Sequence, residues 1–95
     1  MNYQTATELA QIGNRSDIQT GAVSAPIYLS TTFSHPALGQ STGYDYTRTK
    51  NPTRTILEEA LANLEAGSQA IVTSSGMSAI QLVFNYFPAK SEFLV

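Results

Sequence analysis

Apolar residues recur at helical spacing in three parts of the chain, and between residues 14 and 45 they show no sustained period. Near the start, Leu9 and Ile12 share a face, Thr5 and Glu8 stand at capping-box spacing, and Gly13 can close the turn. This predicts a short helix over residues 6–12, one that needs packing to persist. A longer helix is expected from Asn51, because asparagine accepts from free backbone amides and Pro52 has no amide to leave unpaired in the first turn. Ile56, Leu57, Ala60, Leu61 and Leu64 then make one apolar stripe that should face a core, with Glu58, Glu59, Asn63 and Glu65 on other faces. The helix should run to about Ala66, with Gly67 as its left-handed stop.

The following stretch changes period. Gln69 to Thr73 carries the short apolar run Ala70, Ile71, Val72 of a buried strand, and Ser74-Ser75-Gly76 reads as a turn. Met77, Ile80, Val83, Phe84 and Phe87 give a second helical stripe, Pro88 marks its exit, and Glu92 to Val95 reads as another strand. Strand, helix, strand is the unit of a parallel sheet with a right-handed crossover. A buried parallel strand needs neighbours on both sides and helices on both faces, so the expected fold class is α/β, with this chain as a truncated start of the sheet.

Residues 14–45 are interrupted by Gly21, Pro26, Pro36, Gly39 and Gly43, yet carry Ile27, Tyr28, Leu29, Phe33 and Tyr44. That is too much apolar surface for a solvated linker, and too long an irregular run for a small domain. The expectation is an extended arm packed on something outside its own 95 residues.

Composition narrows the classes of function. Five basic residues against seven acidic ones give a net charge of −2, with no basic run to neutralise nucleic acid or an anionic membrane. No stretch reaches the roughly 20 apolar residues of a membrane span, and the first residues lack a leader's charged-then-apolar pattern, so a soluble, cytoplasmic protein is expected. Zero cysteines exclude thiol chemistry, and the single His35 leaves too few nitrogen ligands for a common zinc site, so no metal is expected.

Two places could carry chemistry. At Ser74-Ser75-Gly76-Met77 a helix starts with unpaired amides and a positive dipole end; glycine allows close approach and Ser75 could add a hydroxyl, which suits a phosphate. The plain alternative is an ordinary serine-capped turn. At Tyr44-Asp45-Tyr46-Thr47-Arg48, alternation would put Tyr46 and Arg48 on one side of an extended segment, a phenol beside a guanidinium fork. The plain alternative is an aromatic lid with Arg48 paired to Asp45 or Glu58. Lys50 reads as a solvated loop charge and His35 as a hydrogen-bonded surface residue.

Taken together, TGAVSAPIYLSTTF at 20–33, YDYTRTKNPTR at 44–54, LANLEAG at 61–67 and SSGMSAI at 74–80 resemble the cystathionine gamma-synthase and lyase family. Residues 9–17 and 48–54 look most like bacterial cystathionine gamma-synthases that also act as O-acetylhomoserine thiolyases. The resemblance implies a fold type I transferase using pyridoxal 5'-phosphate (PLP), with residues 1–50 as a helix and inter-subunit arm and 51–95 as the start of the large PLP-binding domain and its mostly parallel sheet. It implies that the Gly76 and Met77 amides hold the cofactor phosphate, and that Tyr46 and Arg48 reach that phosphate from the neighbouring subunit of a homodimer or homotetramer. Ser78 stands where the family usually has alanine.

The reaction implied is joining of O-acylhomoserine and cysteine into cystathionine for methionine biosynthesis, with small amino acids as substrates. Cystathionine beta- or gamma-lyase and methionine gamma-lyase chemistry on the same fold, or a non-catalytic phosphate-binding or interaction piece, are the alternatives. Neither Lys50 nor Lys90 lies in a segment resembling the family's cofactor-linking lysine. No catalytic residue is therefore carried over, and the chain alone is expected to be inactive.

Overall fold

The computed structural model describes residues 3–95, with three helices in the order α1 (Thr5–Gln11), α2 (Pro52–Leu64) and α3 (Gly76–Tyr86). α1 begins one residue earlier than the pattern predicts, and the capping box does not form. Gln4 occupies the N-cap with no side-chain bond, and its carbonyl accepts from the amides of Thr7 (2.8 Å) and Glu8 (3.1 Å), which leaves Thr5 inside the helix. α1 packs on α2, and Gly13 makes the approach possible: a methyl group there would lie 3.1 Å from Ile56 Cγ2, at a backbone φ of +71°.

α2 starts as its sequence requires. Asn51 Oδ1 accepts from the Thr53 amide at 2.8 Å, and Pro52 sits in the first turn. Its end differs from the expectation, because Ala66 and not Gly67 takes the left-handed conformation, at φ 53°. The Gly67 amide reaches Ala62 O at 2.8 Å and the Ala66 amide reaches Asn63 O at 3.2 Å, the two bonds of a Schellman motif. A methyl on Gly67 would meet only ordinary contacts at 3.8 Å, so the stop is set by the carbonyls that need partners and not by where the glycine lies. Ala66→Gly is therefore expected to stabilise the complete protein by about 1 kcal/mol, seen as a higher urea midpoint.

The stripe on α2 divides between two surroundings. Ile56, Ala60 and Leu64 are half-buried beside α1, whereas Leu57 and Leu61 remain 45% and 39% exposed, and Ala62 is the one buried apolar residue among those described. α3 packs on neither α1 nor α2. Its stripe is open, from Phe84 at 43% to Met77 at 72% exposure, apart from an edge-on cluster in which Phe93 meets Phe84 and Phe87 at ring separations of 4.7 and 5.4 Å.

The two expected strands do not form. Among the described residues the sole β-pairing is an isolated antiparallel bridge between Thr32 and Tyr46; residues 69–73 and 92–95 pair neither with each other nor with anything else. A strand exists by virtue of a ladder partner, and these two segments have none among the described residues. The surface shows the same lack of partners. It measures 8229 Å², where a folded monomer of this mass exposes about 5,300 Å². The radius of gyration is 16.8 Å, against about 12 Å for a self-contained domain of this length.

The arm is anchored at few points. The Tyr28 amide donates to Thr53 Oγ1 at 2.9 Å, and Asn51 Nδ2 donates to Tyr28 O at 3.1 Å and to Thr47 Oγ1 at 2.8 Å. Phe33 and Tyr44 pack together at 5.8 Å, whereas Ile27 and Leu29 stay 76% and 89% exposed. Two carboxylates tie its turns. Asp17 accepts from the Thr20 hydroxyl and from the Gln19 amide, and Asp45 from Ser41 Oγ at 2.6 Å with His35 Nε2 at 2.7 Å. Those partners favour the ionised form and hold both carboxyls below their ordinary value, Asp17 chiefly through Thr20 and Asp45 chiefly through Ser41 and then His35.

Candidate functional site

Ser75 is the N-cap of α3: it is extended at φ −154°, and its Oγ accepts from the Ser78 amide at 3.1 Å. Its hydroxyl also lies 2.9 Å from Ser78 Oγ. The oxygen that the sequence offers to a ligand is thus occupied in shaping the turn, and Ser78 completes the cap. The amides of Gly76 and Met77 have no acceptor among the described residues, as the first turn of a helix dictates.

Gly76 is needed neither for backbone conformation nor for packing. Its φ is not positive, and a methyl built on it would meet nothing within 4 Å. What glycine leaves is open space directly over two outward amides at the positive end of an eleven-residue helix. A shallow cleft of about 490 Å³ adjoins it, lined by Thr73, Ser75, Met77, Ser78, Gln81, Leu82 and Asn85. These features fit a phosphate ester: amide donors, a favourable dipole and room for tetrahedral oxygens.

Tyr46 and Arg48 are brought together by a turn and not by extended alternation. The Thr49 and Lys50 amides both reach Tyr46 O at 3.0 Å, and Thr49 Oγ1 reaches the same oxygen at 2.8 Å. The Arg48 guanidinium lies over the Tyr46 ring, 5.3 Å from its centroid. It makes no ion pair among the described residues, because Glu58 pairs with Arg54 and Asp45 with His35. An exposed, planar cation held on an aromatic face beside a phenol is equipped to meet an anion. Neither Tyr46 nor Arg48 lines the cleft at the start of α3 in the same chain. Lys50 stands over the Tyr44 ring at 5.4 Å, a loop charge as its sequence suggests.

Sequence reasoning passed over Arg54 and offered Glu58 only as a possible partner of Arg48, whereas Glu58 pairs with Arg54. Arg54 Nη2 donates to Arg48 O at 3.5 Å and its Nε lies 3.6 Å from Glu58 Oε1, which in turn accepts from the Val72 amide at 3.1 Å. The legible signal was the i, i+4 spacing of opposite charges on a predicted helix.

Fold and site together define an incomplete α-helical face with a helix start whose first two amides are unpaired, and an arm that leaves Ile27 and Leu29 exposed. Residues 6–95 match the family of Cys/Met metabolism PLP-dependent enzymes, and the chain belongs to that family. It is 59% identical over 93 residues to cystathionine gamma-synthase of Haemophilus influenzae, covering 98% of this chain and 25% of that protein. It is 56% identical over 95 residues to cystathionine gamma-synthase/O-acetylhomoserine (thiol)-lyase of Bacillus subtilis, covering all of this chain and 26% of that one. A crystal structure of cystathionine gamma-synthase from Xanthomonas oryzae in complex with aminoacrylate and cysteine superposes with a TM-score of 0.85 at 47% identity, over 90% of this chain and 22% of that chain. The chain thus spans about a quarter of the length of the relatives it matches. The family is PLP-dependent. Among the described residues no helix is long and apolar enough to cross a membrane.

Proposed function

We propose that this chain is the amino-terminal portion of a PLP-dependent enzyme that joins an O-acylhomoserine and cysteine into cystathionine, acting in the cytoplasm as a homodimer or homotetramer. Its role within that enzyme is to place the cofactor. The observation that carries this is Gly76, a glycine with no conformational or packing duty, standing over two unpaired amides at the start of α3. Those amides, of Gly76 and Met77, hold the phosphate, and Tyr46 and Arg48 approach it from a second subunit. This is the use that suits a guanidinium with no ion-pair partner among the described residues. The exposed Ile27 and Leu29 of the arm are then covered in the same interface, and residues 69–73 and 92–95 join the mostly parallel sheet of the large domain. Residues 1–50 and 51–95 accordingly serve as arm and domain start.

When bound, PLP supplies an electron sink for charge developing on substrate carbon. This portion of the protein fixes the position of that sink, and positioning alone can be worth several powers of ten in rate. The choice of reaction follows the two cystathionine gamma-synthases to which the chain is most alike among those described above, and the cysteine seen in the Xanthomonas structure.

The test is a product assay on the complete enzyme with PLP, O-acetylhomoserine and cysteine. Cystathionine formation is expected. Cleavage of cystathionine without its synthesis would replace this reading by a lyase. The 95-residue chain by itself is expected to yield no product, because neither Lys50 nor Lys90 can take the cofactor-linking role.

A further inference from the structure

We infer that Glu58 is a positioning residue for the cofactor-phosphate turn, acting through the main chain of Val72; this rests on the phosphate role proposed for Gly76 and Met77. α3 makes no helix-to-helix contact with α2, so within these residues its start is tied to α2 through the intervening segment. Among the described residues, the bond from the Val72 amide to Glu58 Oε1, at 3.1 Å, is the one hydrogen bond that crosses from α2 to residues 68–95. Val72 precedes the N-cap Ser75 by three residues, a reach of at most about 11 Å of chain, so displacement at Val72 is passed to the turn.

The carboxylate is itself held. Arg54, one turn earlier on α2, lies 3.6 Å from the same oxygen, and both side chains are mostly covered, at 28% and 23% exposure. Arg54 also reaches back to Arg48 O at 3.5 Å. One guanidinium and one carboxylate therefore connect the Tyr46–Arg48 turn, through α2, to the segment that enters the Gly76 turn. In a symmetric dimer each subunit would lend its Tyr46 turn to the partner and its Gly76 turn to its own site. The Arg54–Glu58 pair then sets the distance between the two contributions within every chain. A carboxylate suits the task because it accepts the main-chain proton and the guanidinium on one group.

The experiment uses the complete holoenzyme with Glu58→Ala, Glu58→Gln and, as a control, Glu59→Gln, whose side chain does not reach Val72. Two readouts are taken: deuterium exchange of the peptide containing Val72, and PLP affinity together with the 31P shift of bound PLP. Glu58→Ala removes the acceptor; exchange at Val72 is expected to accelerate and PLP to bind about tenfold more weakly, the scale of one net hydrogen bond. Glu58→Gln keeps an acceptor oxygen, so it should retain Val72 protection, PLP affinity and the 31P shift at the level of Glu59→Gln; if the alanine variant fails to fold, Glu58→Met, which keeps the bulk without an acceptor, is read in its place, and PLP affinity and a 31P shift at the level of Glu59→Gln in that folded variant overturn the inference. Unchanged Val72 exchange in Glu58→Ala also overturns it, as does faster exchange with unaltered PLP affinity and 31P shift. The underlying phosphate reading fails separately: PLP binding to the unaltered enzyme would then leave exchange at Gly76 and Met77 unchanged, whatever Glu58 does.

Discussion

Replacing Arg48 by alanine in the complete enzyme is expected to weaken PLP binding by about ten- to a hundredfold, since a hydrogen bond to a charged group is worth roughly 1.5 to 3 kcal/mol and each 1.4 kcal/mol is about tenfold. The guanidinium is exposed, lies on the Tyr46 ring and has no carboxylate partner among the described residues, so its removal disturbs no ion pair within the chain. Lysine at this position should recover part of the loss. An ammonium restores the charge but neither the planar fork nor the stacking on Tyr46, which gives the order Arg48, then Lys, then Ala in PLP titrations. Mixed dimers test the cross-subunit geometry directly. If Arg48 serves the neighbour, pairing an Arg48→Ala subunit with one lacking the cofactor-linking lysine leaves one site of the two free of both defects, and activity should partly return. Unaltered PLP affinity in the single variant would remove the phosphate role, and correctly assembled mixed dimers that stay inactive would remove the geometry.

Asn51→Ala should be among the most destabilising single changes in this part of the protein. One buried side chain performs three tasks: Oδ1 caps α2 at Thr53, and Nδ2 holds the arm at Tyr28 O and the turn at Thr47 Oγ1. Loss of a cap costs about 1 kcal/mol and a buried group left without its partner about 1 to 3, so the expected fall is about 2 to 4 kcal/mol, read from urea unfolding of the complete protein. Asn51→Asp separates the parts. It keeps the cap acceptor, and the Thr47 hydroxyl can turn to donate to it, but Tyr28 O would face a second acceptor, so its stability should fall between those of asparagine and alanine. An alanine variant as stable as the parent would show that arm and helix are held by something other than Asn51.

Helix starts were legible in the sequence because their chemistry is local. Asn51 before Pro52 and Ser75 before Gly76 satisfy amides two or three residues away; Asn51 caps as expected, and Ser75 takes the plain alternative of a serine cap in place of the ligand donor. Features that depend on distant partners were not legible from period alone. The apolar runs at 69–73 and 92–95 have strand composition but find no ladder among the described residues, and Leu57 and Leu61 belong to a stripe wider than α1 can cover. The end of α2 misled for a different reason. Gly67 looks like the stop, yet carbonyl pairing places the left-handed residue one position earlier, on Ala66. Tyr46 and Arg48 do lie side by side, but through a turn closed on Tyr46 O in place of the expected extended run.

The bond between Glu58 and Val72 also bears on sheet order. In a strand the amides of successive residues leave on opposite flanks, and an amide that donates to a helix side chain is not free to donate to a neighbouring strand. Any sheet that takes in residues 69–73 therefore meets this segment with one flank already closed at Val72, while the flank served by Ile71 and Thr73 stays open. The segment is suited to the rim of a sheet and not to its middle, and the carboxylate that steadies it doubles as a cover against edge-to-edge association with a foreign strand.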